Sequence, residues 1–311
     1  MQFWDRLTGF SREAERRYPP LGGFVSVRGA QIHYLADGPV RGRPVVVLHG
    51  ASGNLRDWAL SLMPRLARTH RVIAFDRPGF GHSSPVPGGE RLDVQAALLA
   101  DALARLGLRR YWLVGHSYSG ALALAWALAR PAEVAGVAVV AGATMDWGGA
   151  LAPAYRFCGA PIIGRAMSRI VPAVLPPARI DAALAEVFAP QPVPPRYRDE
   201  GGAELALRPH TFRTNFRAVA VLHRQIVAMM AQYPRIACPV EIVHGTEDAI
   251  VPAQIHAEGL ARILPRARLT LLPGIGHMPH HAAPEAVLAA VGRLTRPAQT
   301  PQRQSAGPSA R

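Results

Sequence analysis

Short apolar runs alternate along the chain with longer stretches in which apolar residues recur every three or four positions. Short runs bounded by glycine, proline or asparagine predict buried strands, whereas the wider spacing predicts amphipathic helices. The predicted strands cover 23–27, 31–35, 44–48, 71–75, 111–114, 134–140, 240–243 and 268–272. The predicted helices cover 55–67, 91–106, 121–129, 254–264 and 284–294. Because strands and helices alternate, the pattern predicts a mostly parallel sheet with helices on its faces.

One long interruption separates the strands predicted at 134–140 and 240–243. The intervening residues contain helical patches and many prolines but no strand pattern. A gap of about ninety residues is too long for a loop inside a compact domain, so we interpret 144–236 as an inserted helical cap. Since the cap leaves the sheet at the strand ends where ligands bind, we expect it to cover the site. The other predicted parts are an N-terminal helical extension at 1–20, an α/β core at 21–143 and 237–295, and a disordered tail at 296–311.

Composition narrows the classes of partner. The net charge is +14 and all 35 basic residues are arginine, but they are scattered and are not interleaved with aromatic residues. A nucleic-acid surface needs a basic stripe or patch, so we expect no nucleic-acid partner. Cys158 and Cys238 lie far apart, which favours a reducing compartment, and we expect a cytoplasmic protein.

The N-terminal segment has apolar residues at helical spacing, Trp4, Leu7 and Phe10, followed by arginines. It lacks the apolar core of a signal peptide, and no stretch of the chain approaches the length of a membrane-spanning helix. We expect a helix packed on the body, and a peripheral membrane contact through this helix is the alternative. The sequence does not indicate an oligomeric state.

Ser117 lies where the strand predicted at 111–114 meets the helix predicted at 121–129. The segment between them reads Gly115-His116-Ser117-Tyr118-Ser119-Gly120. A strand, a serine in a glycine-flanked segment and a helix, in that order, predict a nucleophile elbow. Ser119 stands where the motif usually has its second glycine, and we interpret it as tolerated because serine is small.

A serine hydroxyl is a poor nucleophile at neutral pH and needs an adjacent base that an acid orients. Two later strand ends supply these groups, because Asp248 follows the strand at 240–243 and His277 follows the strand at 268–272. The order of nucleophile, acid and histidine, each at the carboxyl end of a different strand, predicts one site.

Together these motifs make the chain resemble the α/β-hydrolase fold superfamily, in the serine-nucleophile branch with a helical cap inserted before the acid-bearing strand. The resemblance implies a central, mostly parallel eight-stranded sheet and a Ser-His-Asp triad. It also implies that Ser117 is the nucleophile, His277 the general base and Asp248 the orienting acid. Glu247 and Asp146 are the alternative acids, since Glu247 is adjacent and some members of the superfamily keep the acid at the position of Asp146.

An oxyanion hole needs two N–H donors that point to one place. We expect one from the backbone of Tyr118, after the nucleophile. The resemblance implies that the other comes from Ala51, the residue after His49-Gly50. Asn54 and Trp58 are candidate substrate-binding residues in the pocket wall.

Other polar groups near these motifs have structural interpretations. We expect His49 and His116 to fix loops or to pack. We expect His280 and His281 to lie at a solvated helix entry, and the alternative is that they line the mouth of the site. The turn at 76–81 is interpreted as scaffold, shaped by its proline and glycines.

A serine at the elbow favours attack on an acyl carbon. We therefore expect an enzyme that hydrolyses a carboxylic ester or lactone of a small to medium apolar substrate. One alternative is a C–C bond hydrolase or a cofactor-free perhydrolase on the same triad, although the Gly-Pro-Gly type of loop typical of C–C hydrolases does not follow His49. The other is a non-catalytic ligand-binding protein on a hydrolase scaffold. No cofactor and no metal are expected, and the expected partner is a small ester-like molecule.

Overall fold

A central eight-stranded sheet organises the computed structural model, which describes residues 2–149 and 153–296. The strands are β1 (Gly23–Val27), β2 (Ala30–Asp37), β3 (Arg43–Leu48), β4 (His70–Phe75), β5 (Tyr111–His116), β6 (Val134–Val140), β7 (Val240–Gly245) and β8 (Ala267–Leu272). Their order in the sheet is β1-β2-β4-β3-β5-β6-β7-β8. Pairing is antiparallel from β1 to β2 and from β2 to β4, and parallel elsewhere. The predicted mostly parallel, eight-stranded sheet is confirmed.

Helices precede, connect and follow these strands. They are α1 (Gln2–Arg17), α2 (Arg56–Ala59), α3 (Met63–Leu66), α4 (Leu92–Arg105), α5 (Tyr118–Ala129), α6 (Pro153–Gly159), α7 (Pro161–Val174), α8 (Pro177–Phe188), α9 (Pro195–Glu200), α10 (Pro209–Met230), α11 (Ala253–Ile263), α12 (Pro279–Ala282) and α13 (Pro284–Thr295). The single helix predicted at 55–67 is wrong, because the structure has α2 and α3 there, with a break between them. Pro64 lies in the first turn of α3, where its missing N–H is not needed, whereas a continuous helix would need that donor.

The sheet is covered by an apolar layer on each face. Strand β3 shows the reason, because its four residues from Val45 to Leu48 have no exposed surface. Val46 and Leu48 belong to the layer with α4 and α5, and Val45 and Val47 belong to the layer with α2, α3 and α13. Successive side chains of a strand point to opposite faces, so a continuous apolar run fills both layers.

The chain between β6 and β7 is helical and contains no strand within its described residues. It holds α6 to α10 and two 3₁₀ helices, Ala203–Leu207 and Tyr233–Arg235. Helix α1 packs on this segment through a small cluster of Ala14, Tyr18 and Leu205. The cap at 144–236 and the other domain boundaries stay predictions, and residues 297–311 of the tail predicted at 296–311 lie outside the described residues. Among the described helices, none combines the length and hydropathy that crossing a bilayer requires.

Strand β5 and helix α5 meet at a very close backbone contact. A Cβ atom added to Gly115 would lie 2.1 Å from the carbonyl oxygen of Ser119, and one added to Gly120 would lie 2.8 Å from the Cα of Gly142. Both distances are far below van der Waals contact, and the opposing atoms are backbone. Only glycine therefore fits at these two positions.

We predict that Gly115→Ala destabilises the protein by about 3 kcal/mol, since overpacking against backbone forces the elbow to move. Gly292→Ala is the matched control, because nothing lies within 4 Å of that position in α13. The control should gain about 0.5–1 kcal/mol from helix propensity. Urea unfolding of both variants measures this, and equal stability of the two would contradict the prediction.

Candidate active site

Ser117 directly follows β5 and caps the N-terminus of α5 with φ 52° and ψ −117°. A non-glycine residue in such a conformation costs about 1–3 kcal/mol and persists only where its surroundings fix it. Three backbone hydrogen bonds do so here. The Ser117 N–H donates to Val140, and its carbonyl oxygen accepts from the N–H groups of Gly120 and Ala143.

Ser117, His277 and Asp248 form one continuous line of hydrogen bonds. The Oγ of Ser117 lies 2.9 Å from Nε2 of His277, and Nδ1 of His277 lies 2.8 Å from Oδ2 of Asp248. The other carboxylate oxygen accepts the N–H groups of Ile250 and Val251 at 3.0 and 2.8 Å. An ionised Asp248 is acceptor-only, so the neutral imidazole donates from Nδ1 and accepts the serine proton at Nε2.

The electrostatics of Asp248 favour its ionised form. Burial raises the pKa of this carboxyl, but the hydrogen bonds from His244 and His277 outweigh burial and hold the pKa far below its usual range. His244, on β7, is itself completely buried. Its Nε2 lies 2.7 Å from the carbonyl oxygen of Val251 and 3.1 Å from the Asp248 oxygen that faces His277, so the two oxygens share its N–H. The sequence did not indicate this second histidine beside the acid.

Of the three carboxylates considered for the acid, only Asp248 is within hydrogen-bond distance of His277. Asp146 is bound instead to His223, with 2.7 Å between Oδ1 and Nε2. Glu247 is exposed and its side chain contacts the neighbouring threonine hydroxyl at 3.4 Å. The consecutive acids at the end of β7 thus point in different directions.

The loop after β3 lies directly against the serine. A Cβ atom added to Gly50 would be 3.2 Å from the Cβ of Ser117 and 3.0 Å from Nδ1 of His116. The N–H of Ala51, the next residue, donates no hydrogen bond to another described residue. Tyr118 is the first residue of α5, so its N–H has no acceptor inside the helix. Gly50 of this loop thus lies beside Ser117, and the oxyanion roles of Ala51 and Tyr118 stay predictions.

Ser119 ties this loop to the elbow. Its buried hydroxyl donates to the carbonyl oxygen of His49 at 2.5 Å. The interpretation of Ser119 as a merely tolerated residue is therefore wrong, since a glycine could not make this bond.

Asn54 and Trp58 contact other parts of the protein. The Asn54 amide donates to the carbonyl oxygen of Gly201 at 2.9 Å, which joins the loop after β3 to the helical segment. Trp58 has no exposed surface, and its ring centroid lies 4.7 Å from that of His280. The hydrogen bond accounts for the Asn54 amide, and substrate binding by either residue stays a prediction.

His280 and His281 are not at a solvated helix entry, so that prediction is wrong. Their Nε2 atoms lie 3.0 and 2.8 Å from the two carboxylate oxygens of Asp57, and His280 is fully buried. Burial raises the pKa of Asp57, but the charge and hydrogen bonds of the two histidines hold it well below the usual value. A buried carboxylate needs such donors, and α12 supplies them.

Asp57, His280 and His281 are the group of described side chains that could ligate a metal, since their ligand atoms lie within 4.8 Å of one another. Here each histidine nitrogen is at hydrogen-bond distance from a carboxylate oxygen, which explains the cluster without an ion. The absence of a metal stays a prediction.

Burial dominates the titration of the histidines around the site. It lowers the pKa of His49 to about 3 and that of His116 well below the usual value. Burial likewise lowers the pKa of His256 to about 4, and the Nδ1 of that residue accepts the N–H groups of Thr144 and Met145 at 3.1 Å. These rings are neutral in the folded protein at neutral pH.

Comparisons with known proteins identify relatives of this chain. The family model described as "Alpha/beta hydrolase family" matches residues 45–290. The chain is also similar to a non-heme chloroperoxidase of Streptomyces lividans, with 28% identity over 274 residues that cover 83% of this chain and 93% of that protein.

Two solved structures share the fold. An alpha/beta hydrolase fold protein of Burkholderia ambifaria has a TM-score of 0.72 and 25% identity, covering 88% of this chain and 98% of its own. The esterase RhEst1 of Rhodococcus sp. ECU1013 has a TM-score of 0.66 and 25% identity, covering 87% of this chain and 97% of its own.

We predict that acid lowers the free energy of unfolding through the buried histidines. The pKa values of His49 and His256 are depressed in the folded state, so below pH ~6.5 the unfolded chain binds protons that the folded chain does not. Stability is therefore full above that pH and falls as the pH falls. These two residues alone should cost about 3–4 kcal/mol between pH 7 and pH 5.

Urea unfolding at pH 7, 6 and 5 measures this loss. His256→Gln keeps an acceptor for the two N–H groups but does not titrate, so its stability should depend less steeply on pH. Parallel pH profiles for the variant and the wild type would contradict the assignment.

Proposed function

The chain belongs to the alpha/beta hydrolase family, and we propose that it cleaves a carboxylic ester or lactone of a small to medium apolar substrate through an acyl-enzyme. The observation that carries the proposal is the line of hydrogen bonds from Ser117 through His277 to Asp248, with 2.9 and 2.8 Å between the atoms. The similarity to an esterase of known structure supports the same class of reaction.

In this mechanism the Nε2 of His277 takes the proton of Ser117 as Oγ attacks the acyl carbon. The bond from carbon to the leaving oxygen breaks, and His277 returns the proton to that oxygen, which releases an alcohol. Water then attacks the acyl-enzyme with His277 again as base, and the carboxylic acid leaves. The backbone N–H groups of Ala51 and Tyr118 stabilise the oxyanion of both tetrahedral intermediates.

Asp248 keeps the imidazole in the tautomer that the reaction needs. Its carboxylate accepts the hydrogen bond from the Nδ1–H of His277, and its negative charge offsets the positive charge of the imidazolium that forms during attack. The four donors on this carboxylate prevent it from turning away.

A fluorophosphonate probe tests the nucleophile. We predict that it labels the wild type and not Ser117→Ala, because the probe reacts only with an activated serine. Ser26→Ala, which changes an exposed serine on β1, is the control and should retain labelling. Equal labelling of wild type and Ser117→Ala would refute the role of Ser117.

Asp248→Asn tests the acid. An asparagine amide favours the wrong histidine tautomer, so we predict a loss of kcat of roughly 10⁴-fold in ester hydrolysis at unchanged fold. Asp146→Asn should stay within about twofold of wild type, because that carboxylate is 49% exposed and binds His223. A larger loss of kcat in Asp146→Asn than in Asp248→Asn would indicate that Asp146 is the acid.

Perhydrolysis is the second candidate, favoured by the similarity to the Streptomyces lividans chloroperoxidase. It would use the same acyl-enzyme, with hydrogen peroxide in place of water in the second step to give a peracid. Rates of peracid formation and of p-nitrophenyl ester hydrolysis, measured on one preparation, separate the two. Rates on a ring-cleavage diketone test the C–C alternative in the same way.

A further inference from the structure

Arg77, the second residue after β4, is a fully buried cation. Burial lowers the pKa of its guanidinium to about 10, so it remains charged at neutral pH. Its hydrogen bonds go to the amide oxygen of Gln95 at 3.2 Å and to the carbonyl oxygen of Gly50 at 2.9 Å, and not to a carboxylate. Burying a charge without an opposite charge raises the free energy of the folded state, so other contacts must stabilise Arg77.

Two aromatic faces hold the guanidinium in place. It lies 4.0 Å from the ring centroid of Phe80 and 4.2 Å from that of Tyr118. The Tyr118 hydroxyl accepts from Gln95, which itself accepts from Arg77, so the three side chains form one unit. Attraction to the aromatic faces partly replaces the hydration that the cation lost.

The bond to Gly50 determines where the next N–H points. The carbonyl of Gly50 and the N–H of Ala51 belong to the same peptide unit, and in a trans peptide they point in opposite directions. A donor that fixes the carbonyl on one side therefore fixes the N–H on the other.

A second donor acts on the same carbonyl. The backbone N–H of Arg77 donates to Nε2 of His49 at 3.1 Å, so the proton of that neutral ring lies on Nδ1. Nδ1 lies 2.9 Å from the carbonyl oxygen of Gly50 and donates to it. Arg77 thus holds this peptide twice, once directly and once through His49.

We propose that Arg77 is a positioning residue for the oxyanion hole, acting through the Gly50 carbonyl on the N–H of Ala51 and through its ring contact on Tyr118. The proposal rests on the proposed function, since it concerns the same two donors. A cation on the carbonyl also polarises the peptide and makes its N–H a stronger donor. The effect is larger for an oxyanion than for a neutral ester carbonyl, so it acts on kcat more than on KM.

Arg77→Met tests this by removing the charge and the donors while keeping an unbranched side chain. We expect kcat for ester hydrolysis to fall about 10- to 100-fold, less than for loss of an oxyanion donor itself, with KM changed less than about threefold. Arg77→Lys keeps the charge and one donor, so its kcat should lie between those of wild type and Arg77→Met.

Arg208→Met is the matched control. Arg208 is also buried, but it pairs with Glu15 and donates to the carbonyl oxygen of Gly81. Arg208→Met should lower the free energy of unfolding, while the kcat of the folded protein stays within about twofold of wild type. Stability is measured for every variant, so that loss of folded protein is separated from loss of turnover.

A pair of inhibitors supplies a readout that a purely structural role would not change. A trifluoromethyl ketone binds Ser117 as a tetrahedral oxyanion, whereas the matching methyl ketone binds as the neutral carbonyl. In Arg77→Met, the affinity for the trifluoromethyl ketone should fall by the same factor as kcat, and the affinity for the methyl ketone should be unchanged. If Arg77→Met does not fold, the same comparison on Arg77→Lys decides, with a smaller loss in the same direction.

The inference is overturned if Arg77→Met keeps wild-type kcat, or if both ketones weaken equally in Arg77→Met and Arg77→Lys. Failure of the proposed function is a different result. In that case the wild type itself shows neither ester hydrolysis nor labelling that depends on Ser117, and both proposals fall.

Discussion

The positive φ of Ser117 is the constraint on which the rest of the site depends. At φ 52° the residue leaves the strand direction and lies between β5 and α5, with its Oγ 2.9 Å from His277. Two close backbone contacts of α5 hold this conformation, and they require glycine at 115, which faces Ser119, and at 120, which faces Gly142. Because α5 begins at the next residue, its N-terminal N–H groups lie beside the serine and favour negative charge there.

Around this elbow the protein fixes polar groups before any substrate arrives. Asp248 accepts four hydrogen bonds, Ser119 holds the carbonyl of His49, and Arg77 holds the carbonyl of Gly50. The neighbouring histidines are neutral because burial disfavours their charged forms. Fixed dipoles of this kind stabilise charge that develops during reaction without reorganising, which is the main source of rate enhancement in many enzymes.

The features that the sequence predicts are those carried by short segments of the chain. Apolar runs and glycine punctuation predict the sheet, and the α/β-hydrolase resemblance is confirmed by the family match over residues 45–290. The three triad residues could be proposed because each follows a recognisable strand. The Asp57 cluster could not be, because Asp57 and His280 are 223 positions apart and neither belongs to a motif.

The errors arise where a contact between distant segments, or the loss of one backbone donor, is not visible in the local apolar pattern. The small size of Ser119 predicts only that it fits the elbow, but its hydroxyl has a partner at another strand end, the carbonyl oxygen of His49. The apolar residues at 55–67 keep helical spacing across Pro64. This spacing does not show that the proline lacks the N–H donor that a continuous helix would need. Arg77 lies in a turn interpreted as scaffold, and its contacts to Gly50 and Tyr118 arise only when three separate chain segments meet.

The covalent intermediate is the most direct test of the account. Rapid acid quenching of the enzyme with a p-nitrophenyl ester, followed by intact mass and peptide mapping, would detect it. We predict a mass increase equal to one acyl group, on the peptide that contains Ser117, which disappears as the substrate is consumed. Release of p-nitrophenol without acylation of Ser117, or with the acyl group on another residue, would contradict it.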